Sequence, residues 1–127
     1  MAGIVIRDAH FPGRAPIDSY GNGGFRFAGM SHRGSILCLP SGIYGWKPPE
    51  GGLDLASLAK VFEEAGEIEV LLVGTGRDIA FLAPDVAAAL SEARIVADAM
   101  STGAAVRTFN VLLAEDRAVA AALVAVD

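Results

Sequence analysis

A chain of 127 residues is one domain in size and long enough to bury a core. Its net charge is −5, and its ten Lys and Arg are scattered, which argues against nucleic-acid binding, where cations cluster. Although 53% of the residues are hydrophobic, no apolar run approaches the roughly 20 residues of a membrane span.

Cys38 is the single cysteine, so no intramolecular disulfide can form. It lies in the apolar run 36–39, where a buried, inert thiol is favoured over a nucleophile. Residues 4–6 form a short apolar segment, read as an edge strand and too short for the core of a signal peptide. The compartment expected from this is the bacterial cytoplasm.

Residues 8–16 read as a loop, broken by Pro12, Gly13 and Pro16. Two short strands, 17–20 and 25–27, flank Gly21-Asn22-Gly23-Gly24, a hairpin turn. Phe25 and Phe27 then share a face, with Arg26 opposite. Ser31-His32-Arg33-Gly34 reads as a second turn, and 35–39 as an interior strand, apolar on both faces. Pro40, Ser41 and Gly42 interrupt it, 43–46 resumes, and 47–52 is a connector rich in Pro and Gly.

Asp54 is placed to cap a first helix whose buried stripe is Leu55, Leu58, Val61 and Phe62. Gly66 is expected to end it in the left-handed conformation. Residues 68–76 are apolar on both faces and stop at two glycines, which reads as a central strand. Val70 and Leu72 are expected on one face, Leu71 and Val73 on the other. A short extended piece, 79–82, precedes a second helix that opens at Pro84 and turns Val86 and Leu90 inward. Residues 94–100 form the next strand. Ser101 or Thr102 caps a third helix, with Ala105, Val106, Phe109, Leu112 and Leu113 on one face. After a turn at Glu115-Asp116, residues 117–126 fit helix by spacing and alanine content. A strand there completes β-α-β-α-β with right-handed crossovers, and strand is chosen. The fold class expected is α/β, a single compact domain over 1–127 with about three helices. An antiparallel β region (1–50) packs with a parallel or mixed sheet and its helices (51–127).

Gly74-Thr75-Gly76 follows a strand, yet residue 79 is Ile79 where a dinucleotide fingerprint needs glycine, and a P-loop Lys-Ser/Thr pair is missing. The carboxyl end of a central strand is still where open α/β sheets build sites, and Arg77 stands there. The helix start at Thr102-Gly103 offers free amides to an anion; ordinary capping is the blander reading. Arg107 and Asn110 are polar members of the third helix. Asn110 borders Phe109, and we expect its amide to brace the 74–77 turn. His10 and His32 lack metal-site spacing, and no serine nucleophile elbow is present. Neither metal nor cofactor is implied, and the reading leans away from an enzyme.

Gly74-Thr75-Gly76, Thr102-Gly103-Ala104-Ala105, Arg107-Thr108-Phe109-Asn110, Leu112-Leu113 and Glu115-Asp116-Arg117-Ala118-Val119 together resemble domain-of-unknown-function family 498. That family includes mitochondrial NADH dehydrogenase (complex I) assembly factor 3 and uncharacterised bacterial and archaeal proteins. The front half agrees, from the glycine turn to the 35–39 strand before Gly42 and Trp46. The resemblance implies a β layer packed on a mixed sheet with helices, no established enzyme activity and no catalytic residues to transfer. It implies a protein partner and a non-enzymatic interaction or assembly-accessory role. The alternative is a small-molecule or anion-binding protein, extending to an enzyme of unknown type. It would use Gly74, Thr75, Gly76 and Arg77, the Thr102-Gly103 helix start, and Arg107 or Asn110. That alternative requires these segments to converge on one concave pocket.

Overall fold

The computed structural model describes residues 9–127, so the strand expected at 4–6 lies outside the described residues. Two hairpins build the small sheet. β2 (Ile17–Gly21) turns through Asn22-Gly23 into β3 (Gly24–Phe27), pairing Gly21 with Gly24. Both turn residues have positive φ, 53° and 80°, as a two-residue hairpin loop requires. β3 then turns through Ala28-Gly29 into β4 (Met30–Arg33). Ser31-His32-Arg33 is therefore strand, not turn. The true turn has Ala28 at φ 51°, an unusual position for alanine, and β4 is a largely exposed edge strand without apolar alternation. Phe25 and Phe27 are buried on one face and Arg26 is exposed, as expected.

The main sheet has six strands in the order β1-β6-β5-β9-β7-β8. β1 (Ala9–Pro12) lies where a loop is expected and pairs antiparallel with β6 (Gly42–Trp46), with an irregular register between Ala9 and Phe11. Proline is tolerated here because β1 is an outer strand and Pro12 ends it. β5 (Ser35–Leu39) is buried throughout and pairs antiparallel with both β6 and β9 (Val119–Leu123). β9 runs parallel to β7 (Val70–Gly74), which runs parallel to β8 (Val96–Met100). The ambiguous C-terminal segment is thus strand, and all five residues of β9 are buried.

The faces of β7 separate as expected. Val70 and Leu72 face a core that Phe25, Phe27, Val106 and Phe109 share. Leu71 and Val73 face a second core with Trp46, Leu58, Val61, Val86 and Leu90. Val70 itself is only half-buried. The small three-stranded sheet β2-β3-β4 and α3 (Thr102–Ala114) pack on the first face. α1 (Ala59–Glu63) and α2 (Pro84–Glu92) pack on the second.

The first helix is shorter than its pattern. Asp54 Oδ1 accepts from the Ser57 amide at 2.8 Å and holds the entry. The chain then runs through a 3-10 turn (Ala56–Leu58), α1, and another 3-10 turn (Ala65–Glu67). Leu55 precedes the first turn and is 41% exposed, so it leaves the stripe, and Phe62 is half-buried. Gly66 lies inside the second 3-10 turn and lacks the left-handed φ expected of it. Residues 79–82 form no strand. α2 opens at Pro84 and buries Val86 and Leu90. Ser101 caps α3, its hydroxyl accepting from the Ala104 amide, while Thr102 is the first helical residue. Ala105, Val106 and Phe109 are buried; Leu112 and Leu113 pack at the margin.

Candidate functional site

β7 and β8 are neighbours whose chains leave in opposite directions. The loop after β7 goes to α2 on one face, and the loop after β8 goes to α3 on the other. Such a divergence opens a crevice at the carboxyl ends of parallel strands. Gly74 sits at its floor, where a Cβ would lie 3.0 Å from Thr102 Cα and from Leu123 Cδ2. Glycine lets the start of α3 close down on the end of β7.

Thr102 ties the crevice together. It is fully buried; its hydroxyl donates to Val124 O at 2.7 Å and accepts from the Gly76 amide at 3.0 Å. Its own amide donates to Gly76 O at 2.8 Å. Thr75 Oγ1 accepts from the Ala80 amide at 2.9 Å and lies 2.8 Å from Asp78 O, which folds the loop back on itself. Gly74, Thr75 and Thr102 thus have their polar and packing capacity spent inside the protein.

Gly76, Arg77, Gly103 and Arg107 do converge. With Tyr20 from β2 and Asp127 they line a cleft of about 290 Å³. A Cβ on Gly103 would collide with the Tyr20 hydroxyl, so glycine makes room for the hairpin to approach α3. Neither Arg77 nor Arg107 is held in an ion pair or hydrogen bond among the described residues. Asp127 also borders the cleft without pairing with either. The cleft presents two guanidinium groups to solvent, a chemistry suited to carboxylate or phosphate.

Asn110 lies elsewhere. Its Oδ1 accepts from the Ile17 amide at 2.9 Å and its Nδ2 donates to Ile17 O at 2.8 Å. It braces the start of β2, not the 74–77 turn. The reason is helix geometry: Asn110 is two turns along α3 from Thr102, about 12 Å at 1.5 Å per residue, and that reach carries it past the turn to the small sheet.

A second concavity shares the loop. An apolar groove of about 570 Å³ runs between the 46–53 segment, with Trp46, Pro48, Pro49 and Leu53, and the 75–82 loop, with Phe81 and Leu82. Phe81 is 90% exposed on its rim, and Ile79 nearby is 55% exposed. An extended piece at 79–82 and a plain connector at 47–52 gave no sign of this groove. The visible signal was two large apolar residues, Ile79 and Phe81, in a segment with no helical or strand partner.

Cys38 is buried, and desolvation pushes its thiol well above the ordinary range, so it stays protonated. Among the described residues, no group of three or more His, Cys, Asp or Glu is placed to hold a metal ion. No helix among them is long and apolar enough to cross a membrane.

Residues 17–124 match the family described as protein of unknown function (DUF498/DUF598). The chain belongs to the DUF498/DUF598 family. The match runs from the start of β2 to just beyond β9, so the apolar groove lies on family-matched chain, and the Arg77–Arg107 cleft does too except for its edge at Val126 and Asp127. An uncharacterized protein of Rhodobacter capsulatus is 42% identical over 120 residues, covering 94% of this chain and 92% of that protein. The mouse NADH dehydrogenase [ubiquinone] 1 alpha subcomplex assembly factor 3 is 30% identical over 129 residues, covering 95% of this chain. The match covers 66% of the mouse protein, so this chain spans about two-thirds of its length. The crystal structure of an outer membrane protein from Bartonella henselae superposes with a TM-score of 0.90 at 63% identity, over 93% of this chain and 100% of that one. The DUF498/DUF598 resemblance read from the residues therefore holds, as does the mixed α/β single-domain fold.

Proposed function

We propose that this protein is a non-enzymatic interaction domain that assists the assembly of other proteins, as the name of the assembly factor 3 relatives describes for them. The observation that carries the reading is Phe81, 90% exposed on the rim of an apolar groove. An aromatic ring left in water beside an apolar cleft marks a contact surface. The cytoplasm is the compartment we assign, with the NADH dehydrogenase assembly machinery as the partner class. The test is capture on the tagged full-length chain from native lysate, run beside Phe81→Asp. NADH dehydrogenase subunits should be recovered with the wild type and lost with the variant. Recovery of none, or equal recovery with both, overturns the reading.

A second reading is favoured by one specific observation, the convergence of two unpaired guanidinium groups, Arg77 and Arg107, on the cleft beside Gly103. In this reading the cleft binds a small anion, with the Gly76–Arg77 loop and the start of α3 as its walls. Titration with inorganic phosphate should shift the Gly103 amide resonance, and Arg107→Ala should weaken that binding about tenfold or more, as loss of a charge-assisted contact does. No shift in the wild type, or an unchanged affinity in Arg107→Ala, rejects it.

A further inference from the structure

The small sheet has an inner face, which holds Phe25 and Phe27, and an outer face turned to solvent. Strand pairing sets two rows across that outer face. The first is Ser19-Arg26-Ser31, one residue from each of β2, β3 and β4; the second is Gly21-Gly24-Arg33. The two glycines leave most of the second row without side chains, and a Cβ on Gly24 would collide with the His32 carbonyl. What remains is a hollow of about 370 Å³ lined by Arg26 and Arg33. These two are diagonal neighbours on an antiparallel pair, which places their backbones about 7–8 Å apart. The hollow shares only Tyr20 with the Arg77–Arg107 cleft, so it is a separate site.

Its polar groups are set out for an anion. Arg26 Nε donates to Ser31 Oγ at 3.0 Å, which draws the side chain across to β4. That bond holds the guanidinium by its Nε and leaves both terminal nitrogens without a hydrogen bond among the described residues. Because Ser31 Oγ accepts from Arg26, its own proton is left to donate outward. Ser19 brings a second hydroxyl, and the Arg33 side chain has no ion-pair or hydrogen-bond partner among the described residues. Among the described residues no carboxylate lines the hollow, and the adjacent Asp18 makes no ion pair, so two like charges go uncompensated. Residues 1–47 carry five Lys or Arg and two Asp, whereas residues 48–127 carry five Lys or Arg and thirteen Asp or Glu. The hollow thus lies in the basic part of an acidic chain, where the field favours an anion.

We infer that the outer face of the small sheet binds a phosphate monoester, gripped between Arg26 and Arg33 with Ser19 and Ser31 as hydroxyl donors. One guanidinium serves a planar carboxylate. Two of them set apart, with hydroxyls beside them, suit the three terminal oxygens of a tetrahedral phosphate. Two arginines match one phosphate group, not the run of phosphates along a nucleic acid.

The experiment is amide NMR of the Arg107→Ala chain, in which the other cleft is disabled, titrated with glycerol phosphate at constant ionic strength. The amides of Gly24, Ser31 and Arg33 should shift to saturation. Arg26→Gln and Arg33→Gln should each weaken binding about tenfold, as loss of a charge-assisted contact does. Both side chains are exposed, and circular dichroism checks that the fold is kept. Arg26→Lys keeps the charge but not the guanidinium geometry that Ser31 holds, and should weaken binding as well. Sedimentation with phosphatidylcholine vesicles containing phosphatidic acid separates the two sources of such a group. Carriage by the vesicles, lost in Arg26→Gln, assigns the site to a lipid headgroup; no carriage assigns it to a soluble ester. No saturable shift, equal affinity for acetate, or full affinity in Arg26→Gln, Arg33→Gln or Arg26→Lys overturns the inference. Since Arg107 is already removed, none of these outcomes bears on the reading of the Arg77–Arg107 cleft.

Discussion

Asn110 offers one donor and one acceptor to the two backbone groups of a single residue, Ile17, at 2.8 and 2.9 Å. A side-chain amide does this with its donor and its acceptor on separate atoms. Ile17 opens β2 at an irregularity in the β2–β3 register, and it is 2% exposed, so water cannot replace the lost partner. Asn110→Ala should therefore cost about 1–3 kcal/mol in denaturant unfolding. Hydrogen exchange should quicken at Ile17 and stay unchanged at residues 74–78. The reverse pattern would show that the amide supports the turn after all. The sequence marks Asn110 as a polar misfit beside Phe109 that needs partners. It does not show which partners, because Ile17 is 93 residues away and is brought there by the docking of the small sheet. The two unpaired arginines were legible for the opposite reason: Arg77 and Arg107 sit on the loop and helix that come after adjacent parallel strands, so topology alone brings them together.

At the scale of elements, legibility tracks burial. β5 and β7 are covered on both faces and read as continuous apolar runs, while α2 and α3 show a clear stripe. β4 is mostly exposed and its Met-Ser-His-Arg carries no alternation, so nothing local separates it from a turn. β9 is the instructive case. Its Val-Ala-Ala-Ala-Leu favours helix by propensity, yet it lies between β5 and β7 with all five residues buried. The vacancy between an antiparallel and a parallel strand decides its state, and topology predicted it where propensity did not. The Phe81 groove was missed because its walls are two loops, and loop conformation depends on contacts such as Thr75 Oγ1 with the Ala80 amide, which no periodicity announces.

On the scale of the whole molecule, the antiparallel and parallel halves meet at the β5–β9 seam, and Cys38 sits in it, opposite Ile43 on β6 and Ala121 on β9. Its side chain lies in the core beneath the small sheet and α3, so reaching the thiol means lifting that layer off the main sheet, and Cys38 is expected to report global opening. Labelling by a thiol reagent should slow in proportion to the equilibrium population of the unfolded state, with a denaturant dependence equal to the full equilibrium m-value. The same burial makes stability depend on pH. It raises the native thiol pKa above its unfolded value of about 8.5. Between the two, the native state keeps a proton that the unfolded state has released, so stability falls as pH rises. The slope approaches about 1.4 kcal/mol per pH unit above pH ~8.5. Cys38→Ala removes that slope while leaving other alkaline titrations in place, so the difference between the two proteins isolates the thiol. Unfolding curves measured from neutral to alkaline pH should converge or cross as pH rises, the wild type losing its advantage. Parallel curves, or rapid labelling with a shallow denaturant dependence, would mean that the layer of small sheet and α3 lifts locally and does not unfold with the main sheet as one unit.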